Sequence, residues 1–564
     1  MKRLNQTMLP LMAACLLSVT PAWAADQMSG NAANPAATAK VKQQELPPEV
    51  QKSLDLLIAE IPDLQNYRMK HSEYREKSYR DYHSPVWSIS LTNQPANNEK
   101  GSKNEFASAR IQFDAKTGRL LSLDIRNPAW ASSNYPDPKL AREKADTFIH
   151  AMLGTPFKAA QTLVRGKSGS EDENGKKLAW AYLTVRYSPL INDIPLLNDT
   201  ISVSVDAAGN VVEYDAYDYA DPTLVTWPDP KDALPLEKAR AIFTEQLEMK
   251  LLFDSNQPIA YDQSGRISER KPMLMYIPET PYRIEAHTGK ALDTFSEPAE
   301  ETVKVKGEGQ TVKITSREEA EKWLKERFGI DVANTAYEYN DHKDNIEEGL
   351  QQIESYDWFN INDLPQLPYE AVSITTDAQS DLLIDFDLEL PESRKADSKI
   401  SVSEAKKKAI EALEDFLDPS LTELQLHVPS DEEPIPDWVD VSKLEKEEKK
   451  EQNYSFNFRV KRSGVDVDNE FYDVGIDQVS GAVTKLNLHP LKPGTTIPDM
   501  SKIVSAQAAE ETFKNEIDAE LVYIWEEYQN QRAPKPKLVY QRKLKTGYSF
   551  IDATTGQLFR VNRP

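Results

Sequence analysis

The chain has 564 residues, a net charge of −24, 39% hydrophobic residues and one cysteine. So acidic a surface repels nucleic acid and anionic membranes, and leaves cationic partners or divalent ions as compatible company. A lone cysteine excludes a disulfide framework, a cysteine zinc site and dithiol redox chemistry.

Residues 1–24 read as a signal peptide. Lys2 and Arg3 precede an apolar run from Met8 to Val19, and Ala22-Trp23-Ala24 supplies the small-residue cleavage site. Cys15 lies inside that run. Leu11-Met12-Ala13-Ala14 could serve as a lipobox, but Leu16, Leu17 and Val19 stay apolar beyond the cysteine, so an ordinary signal residue is the favoured reading over a lipoprotein. No later segment approaches the roughly 20 apolar residues of a membrane helix. The expected location is extracellular or the cell envelope, with a net charge of about −26 after cleavage. Residues 25–46, rich in Ala, Asn and Gln, are expected to be a disordered spacer.

From Pro47 one unit recurs: a helix, then strands, closed by a hairpin with a polar turn. The first hairpin runs from Ala109 to Ile125, with Asp114 opening the turn and Gly118 supplying the positive backbone angle. The same pattern carries Asp206 and Gly209, Glu285 and Gly289, Asp377 and Asp381, Asp477 and Gly481, and Asp552 and Gly556. Asp381 replaces the glycine, and Asp tolerates the left-handed region better than most residues.

Helices are predicted before these hairpins, over Pro48–Ile61, from Asp137-Pro138 onward, Leu236–Leu252, and Val504–Phe513. Ser316 with Glu319 and Ser401 with Glu404 are capping boxes that open two more. The hairpins fall into two triplets offset by about 265 residues, which implies a tandem duplication. The expected units are 47–130, 131–230 and 231–298, a linker hairpin at 299–314, then 315–395, 396–495 and 496–564. Ser430 to Gln452, dense in Asp, Glu and Lys, is expected to be a solvated insertion.

Leu178-Ala179-Trp180-Ala181-Tyr182, then Asn192-Asp193-Ile194-Pro195 and Ile201-Ser202-Val203-Ser204-Val205-Asp206, carry a resemblance. A second copy runs through Tyr454–Phe458, Ser463-Gly464-Val465-Asp466 and Val474–Asp477, with Asp466 in place of Pro195. These residues resemble the YcdB/YcdC repeated-domain family of exported proteins of Gram-positive bacteria, which is related to PepSY domains. The resemblance implies an α+β fold of tandem PepSY-like or cystatin-like units, each an antiparallel sheet packed on a helix, arranged as two duplicated halves. It also implies a peptidase inhibitor or chaperone by analogy, since fold alone does not determine function.

No catalytic motif emerges. His71, His83, His150, His287, His342, His427 and His489 form no H-E-x-x-H pattern; His150 reads as structural and His287 sits in a turn. Gly166-Lys167-Ser168-Gly169-Ser170 lacks the glycine spacing of a nucleophile elbow and reads as a flexible loop. Gly175-Lys176-Lys177 and Gly307-Glu308-Gly309 lack the spacing of a nucleotide loop. Asp466, Asp468, Glu470 and Asp473 could bind calcium, but the run has no EF-hand glycine or terminal glutamate, so a charged strand connection is favoured. Tyr67, Tyr74, Tyr79 and Tyr82, interleaved with Arg68, Lys70, Arg75, Lys77 and Arg80, read as a strand pair.

The sequence therefore leads us to expect a non-enzymatic envelope binding module, without a cofactor and with a secreted peptidase or wall component as partner. A metal site built from distant residues stays open. The alternatives are a hydrolase with carboxylates between units and a structural protein of the wall or spore layer.

Overall fold

The computed structural model describes residues 45–561 apart from 77–84, 96–105, 155, 161–162, 172–176, 198–199, 217–224, 256–260, 263–270, 293–299, 334, 342–351, 361–367, 392–398, 428–434, 445–452, 493, 530 and 546–547. The signal peptide, Cys15 and almost all of the spacer lie outside this range.

The first half opens with α1 (Pro48–Glu60), β1 (Arg68–Arg75), β2 (Val86–Thr92), β3 (Ser108–Asp114) and β4 (Leu120–Arg126). It continues with α2 (Pro138–Leu153), β5 (Phe157–Ala159), β6 (Val164–Glu171), β7 (Lys177–Ile191), β8 (Ile194–Leu197), β9 (Ile201–Asp206) and β10 (Val211–Asp215). It closes with α3 (Leu236–Glu245), β11 (Glu248–Asp254), β12 (Tyr261–Asp262), β13 (Met273–Glu279) and β14 (Arg283–Glu285).

The second half repeats the succession of three helices each followed by strands, with β15 ahead of its first helix. It holds β15 (Glu300–Lys304), α4 (Arg317–Phe328), β16 (Ala336–Asp341), β17 (Ile353–Phe359), β18 (Ala371–Asp377) and β19 (Leu383–Glu389). Next come α5 (Val402–Glu414), β20 (Glu423–His427), β21 (Asn453–Arg462), β22 (Val465–Asp477) and β23 (Val483–His489). Last are α6 (Ala506–Phe513), β24 (Ile517–Ile524), β25 (Glu527–Tyr528), β26 (Gln531–Arg532), β27 (Lys537–Leu544), β28 (Ser549–Asp552) and β29 (Leu558–Arg560). The fold is α+β.

All six turns share one geometry. The carbonyl of the leading acid accepts from the N–H four residues on, or three in the shorter Asp206 turn, at 2.7–3.0 Å. The residue that donates has φ between 60° and 87°, and it is glycine in every turn except at Asp381, φ 60°. The acid's own carboxylate accepts the N–H groups inside the turn, as Asp114 Oδ1 does from Lys116 and Thr117 at 3.0 and 2.8 Å. One side chain thus satisfies donors that the tight bend strips from the ladder.

The capping residues act as their spacing requires. Asp137 accepts from Lys139 and Leu140, Ser316 from Glu319, and Ser401 from Glu404. The predicted helix over Leu236–Leu252 is shorter than expected. It ends at Glu245, and the run continues as a strand that buries Met249 and Phe253 on one face and Leu252 on the other. A short apolar run suits either period, and the tertiary pairing with β13 decided it.

Within each half the first two units merge. Leu54, Leu57, Ala141, Ala145 and Phe148 of α1 and α2 pack with Ile111, Leu123, Val203 and Tyr214 in one core. Ala320, Leu324, Ala405, Ala409 and Leu413 of α4 and α5 do the same over Trp358, Ile374, Phe386 and Tyr472. Alanines at the contact let each helix lie close to its sheet, and each large apolar side chain so buried contributes about 1.5–3 kcal/mol.

The third and sixth units are not self-contained, which departs from the expected tandem array. The first-half sheet runs β1-β2-β3-β4-β10-β9-β7-β8-β24-β27-β14, so two second-half strands extend it. The second-half sheet holds β11 and β13 beside β22, then β28, β29 and β12. Helix α3 packs on β24 and β27, and α6 packs on β11, β13 and β28. The first half thus lends β11, β12 and β13 and the second lends β24 and β27, with α3 and α6 each packed on strands of the other half, around a shared core that holds Phe243, Phe253, Tyr276, Phe513, Tyr523 and Tyr540. The seams are parallel, with β11 beside β22 and β24 beside β8, where wholly antiparallel sheets were expected. Alternation specifies a buried face but not whose helix covers it.

The described residues 300–314 of the linker do not form the expected hairpin. β15 pairs with β20, and the backbone N–H groups of Glu308, Gly309 and Gln310 donate to carbonyls at the end of α5. Gly307 lies so close to the Leu417 and Asp418 carbonyls that a side chain would collide with them.

Candidate functional site

Alternation along β4 sends Leu123 and Ile125 into the core and Ser122, Asp124 and Arg126 to the face away from the helices. On β10 the same period places Glu213 outward beside buried Tyr214. Asp124 and Glu213 are direct cross-strand partners, so an acid faces an acid across the seam between the first two units. Like charges so placed repel.

Arg126 lies between them. Its Nε is 3.4 Å from Asp124 Oδ1 and its Nη2 is 3.5 Å from Glu213 Oε1. The guanidinium also donates to Ser168 Oγ at 2.5 Å and sits 5.7 Å from the centre of the Trp180 ring. Ser204 donates to Glu213 Oε2 at 3.3 Å and exchanges a 2.8 Å bond with Thr184.

Arg126 bridges the two half-buried carboxylates, and Arg110, the cross-strand partner of Asp124 on β3, adds a second positive charge. Burial raises Asp124 above the usual carboxylate range, with Arg126 opposing. Burial and then the charge of Asp124 raise Glu213. Burial, followed by the charge of Glu213, pushes Tyr182 up to about 12. The arrangement presents two raised acids, an Arg, a Tyr and two hydroxyls on one face of the sheet.

The glycine-serine stretch expected as a flexible loop is strand β6, paired residue by residue with β7. Its serine is the Arg126 partner, and Gly166 leaves the space that the Tyr182 ring fills. Strand glycines mark close approach as readily as loops do, which is why the spacing misled.

The second half repeats the surface with different chemistry. Matching turns (Asp114 with Asp377, Asp206 with Asp477) place Asp387 at the position of Asp124 and Lys485 at that of Glu213, and these two are also cross-strand partners. The like-charge pair has become an opposite-charge pair. Nearby, Arg459 lies 4.9 Å over the Phe471 ring, whose other neighbour, His489, stacks at 4.4 Å. Burial lowers His489 and raises Asp385 to about 6.

The acidic run on β22 does not gather. Asp466 meets Lys250 at 3.4 Å and Lys461 at 3.6 Å, and Asp473 accepts from Asn457. Glu470 turns inward, fully buried, in a two-bond pair with Arg462 at 2.6 Å each. Asp468 goes to the seam between the halves, beside Asp254. Among the described residues no three His, Cys, Asp or Glu side chains group as a metal set.

The described histidines are scattered. His71 meets Glu73 at 3.3 Å, His287 meets Glu285 at 2.9 Å, His427 meets Glu300 at 3.3 Å, and His150 is exposed on α2. Glu285 falls to about 2 because the donors of Thr288 and His287 outweigh its burial. His83, His342, Gly175, Lys176, Lys77, Tyr79, Arg80 and Tyr82 lie outside the described residues. Tyr67 precedes the edge strand β1, Tyr74 lies within it, and β1 pairs with β2, so the expected strand pair is described only in its first member.

The family described as the YcdB, YcdC repeated domain matches residues 53–218 and 337–489. Those segments run from within α1 to just past β10 and from β16 to β23, with α4 ahead of the second segment. Among solved structures, the C-terminal domain of YpeB from Bacillus megaterium is similar at 13% identity and a TM-score of 0.25, over 44% of this chain and 96% of that one. Comparison with curated proteins finds no match. Among the described residues no helix is long and apolar enough to cross a membrane.

Proposed function

Because the chain belongs to the YcdB/YcdC repeated-domain family, we propose that it is an exported, non-catalytic binding module of the bacterial cell envelope. Its PepSY-like units hold a secreted peptidase or wall component, as inhibitor or chaperone. The observation that carries the reading is a pair of equivalent sheet edges. Among the described residues β1 pairs only with β2, and β16 only with β17. Each edge carries an exposed tyrosine, Tyr74 at 42% and Tyr339 at 44%, leaning on an aromatic of the next strand. Such edges accept an extended peptide as an added strand.

The test is hydrogen–deuterium exchange on the full chain with a panel of secreted peptidases and their propeptides. Binding should protect the amides of Arg68–Arg75 or Ala336–Asp341 and slow a peptidase. A panel with neither effect overturns the reading.

The Asp124–Glu213 pair favours a second reading, a hydrolase with carboxylates between units, since two facing acids, both raised by burial, are the groups that general acid and base catalysis uses. Hydrolysis of a peptide or glycan that Glu213→Gln abolishes would select it.

A further inference from the structure

The two parallel seams are built alike and filled differently. Phe253 and Tyr523 each follow a buried helical phenylalanine, Phe243 or Phe513, by the same spacing. In one seam Tyr523 and Ile524 run beside Leu196 and Leu197. In the other Phe253 runs beside Val467, and the next residues along are Asp254 and Asp468. Ile524 and Leu197 belong to an apolar cluster with Val522, Val539 and Leu292. Two carboxyl groups therefore stand where the equivalent seam is served by hydrocarbon.

Asp254 is 2% exposed. Its Oδ1 accepts from Asn469 Nδ2 at 2.6 Å, which ties the first half to the second. Burial and then the charge of Asp254 push Asp468 up to about 6, with Arg459 opposing. A third group points to a ligand. The Tyr548 hydroxyl is shut off from solvent, has no hydrogen-bond partner among the described residues, and lies within the field of both Asp468 and Asp254. A buried hydroxyl left unpaired costs about 1–3 kcal/mol.

We propose that Asp254, Asp468, Asn469 and Tyr548 form a site for a hard divalent cation, best filled by calcium, that clamps the two halves together. Calcium takes six to eight oxygen ligands, with water completing what carboxylates and an amide carbonyl begin. It neutralises two acids that otherwise repel in a low-dielectric seam. The Tyr548 hydroxyl gains a partner, as a hydrogen-bond donor to a carboxylate oxygen or to a water on the ion. Extracellular modules of few ligands hold calcium at about 10⁻⁴–10⁻³ M, which suits an exported chain. The site is independent of the sheet edges, so its failure would leave the partner reading untouched.

Thermal unfolding of the full chain in about 5 mM calcium chloride, against EDTA, tests the proposal. The wild type should gain about 2 °C or more with calcium. The Asp254→Ile, Asp468→Leu double variant copies the other seam and should fold without responding. Equal midpoints in calcium and EDTA, or a shift retained by the double variant, overturn the site. Should that variant fail to fold, Asp468→Asn should bind calcium at least about ten-fold more weakly by isothermal titration, and unchanged binding overturns it equally.

Discussion

Glu213 faces Asp124 directly across paired strands, an acid opposite an acid, on the open side of a sheet whose other side is sealed core. The duplicate position holds Lys485 opposite Asp387. The repulsion in the first half is therefore a property of this copy rather than a requirement of the fold.

Replacing Glu213 with lysine should stabilise the chain at neutral pH by about 0.5–1 kcal/mol, since an opposite-charge cross-strand pair replaces a repelling one. Glu213→Gln should gain less. Urea midpoints at pH 7.5 check both. A loss of stability in both variants would mean that Arg126 depends on the two acids more than they repel.

Asp385 carries a pH dependence of fixed sign. Burial raises its carboxyl from the usual 3.8 to about 6, with the charges of Asp387 and Asp473 adding and Lys485 opposing. A raised folded-state value means that the folded chain holds the proton more tightly than the unfolded one. That stabilisation is complete below about pH 4 and lost as pH rises through 6. Asp385→Asn should therefore be neutral at pH 4 and stabilising by about 1–2 kcal/mol at pH 7.5, less than the full shift because the group is partly exposed. Stability curves of the two proteins from pH 4 to 8 that run parallel would overturn this.

The exchange of helices predicts that neither half folds alone. Fragments 25–298 and 299–564, expressed separately, should aggregate or remain unfolded, and expressed together should purify as a one-to-one complex. Phe243→Ala and Phe513→Ala, each emptying a fully buried site in the shared core, should cost about 3–5 kcal/mol apiece. A monomeric first half with cooperative unfolding would contradict the shared core.

At the fourth hairpin Asp381 holds φ 60° where the other five turns use glycine. Asp381→Gly should raise stability by about 0.5–1 kcal/mol. Gly118→Ala should lower it by more than about 1 kcal/mol, because the added carbon meets the backbone of Glu49 as well as the strained angle. Chemical denaturation of both variants gives the comparison.

What was legible in the residues is local. An acid with a residue of positive φ three or four places on, glycine in five of the six turns, closes each turn through local bonds, and Ser401 with Glu404 caps a helix within one turn. Period-two alternation likewise fixes which face of β4 or β22 is buried, and the offset between copies shows through the repeated turns. Glu470 escaped that reading because the burial pattern breaks beside Asn469, where two neighbouring positions share one side of the strand before Glu470 turns inward.

Only the tertiary structure decided which helix covers which sheet. α3 and α6 have similar apolar stripes and could each have packed at home. Their exchange follows from long-range pairing of β14 with β27 and of β13 with β28, contacts separated by more than 250 residues. Asp254 and Asp468 meet for the same reason. Nothing within either segment records the other, and a carboxylate buried beside a second one exists only once the two halves have closed on each other.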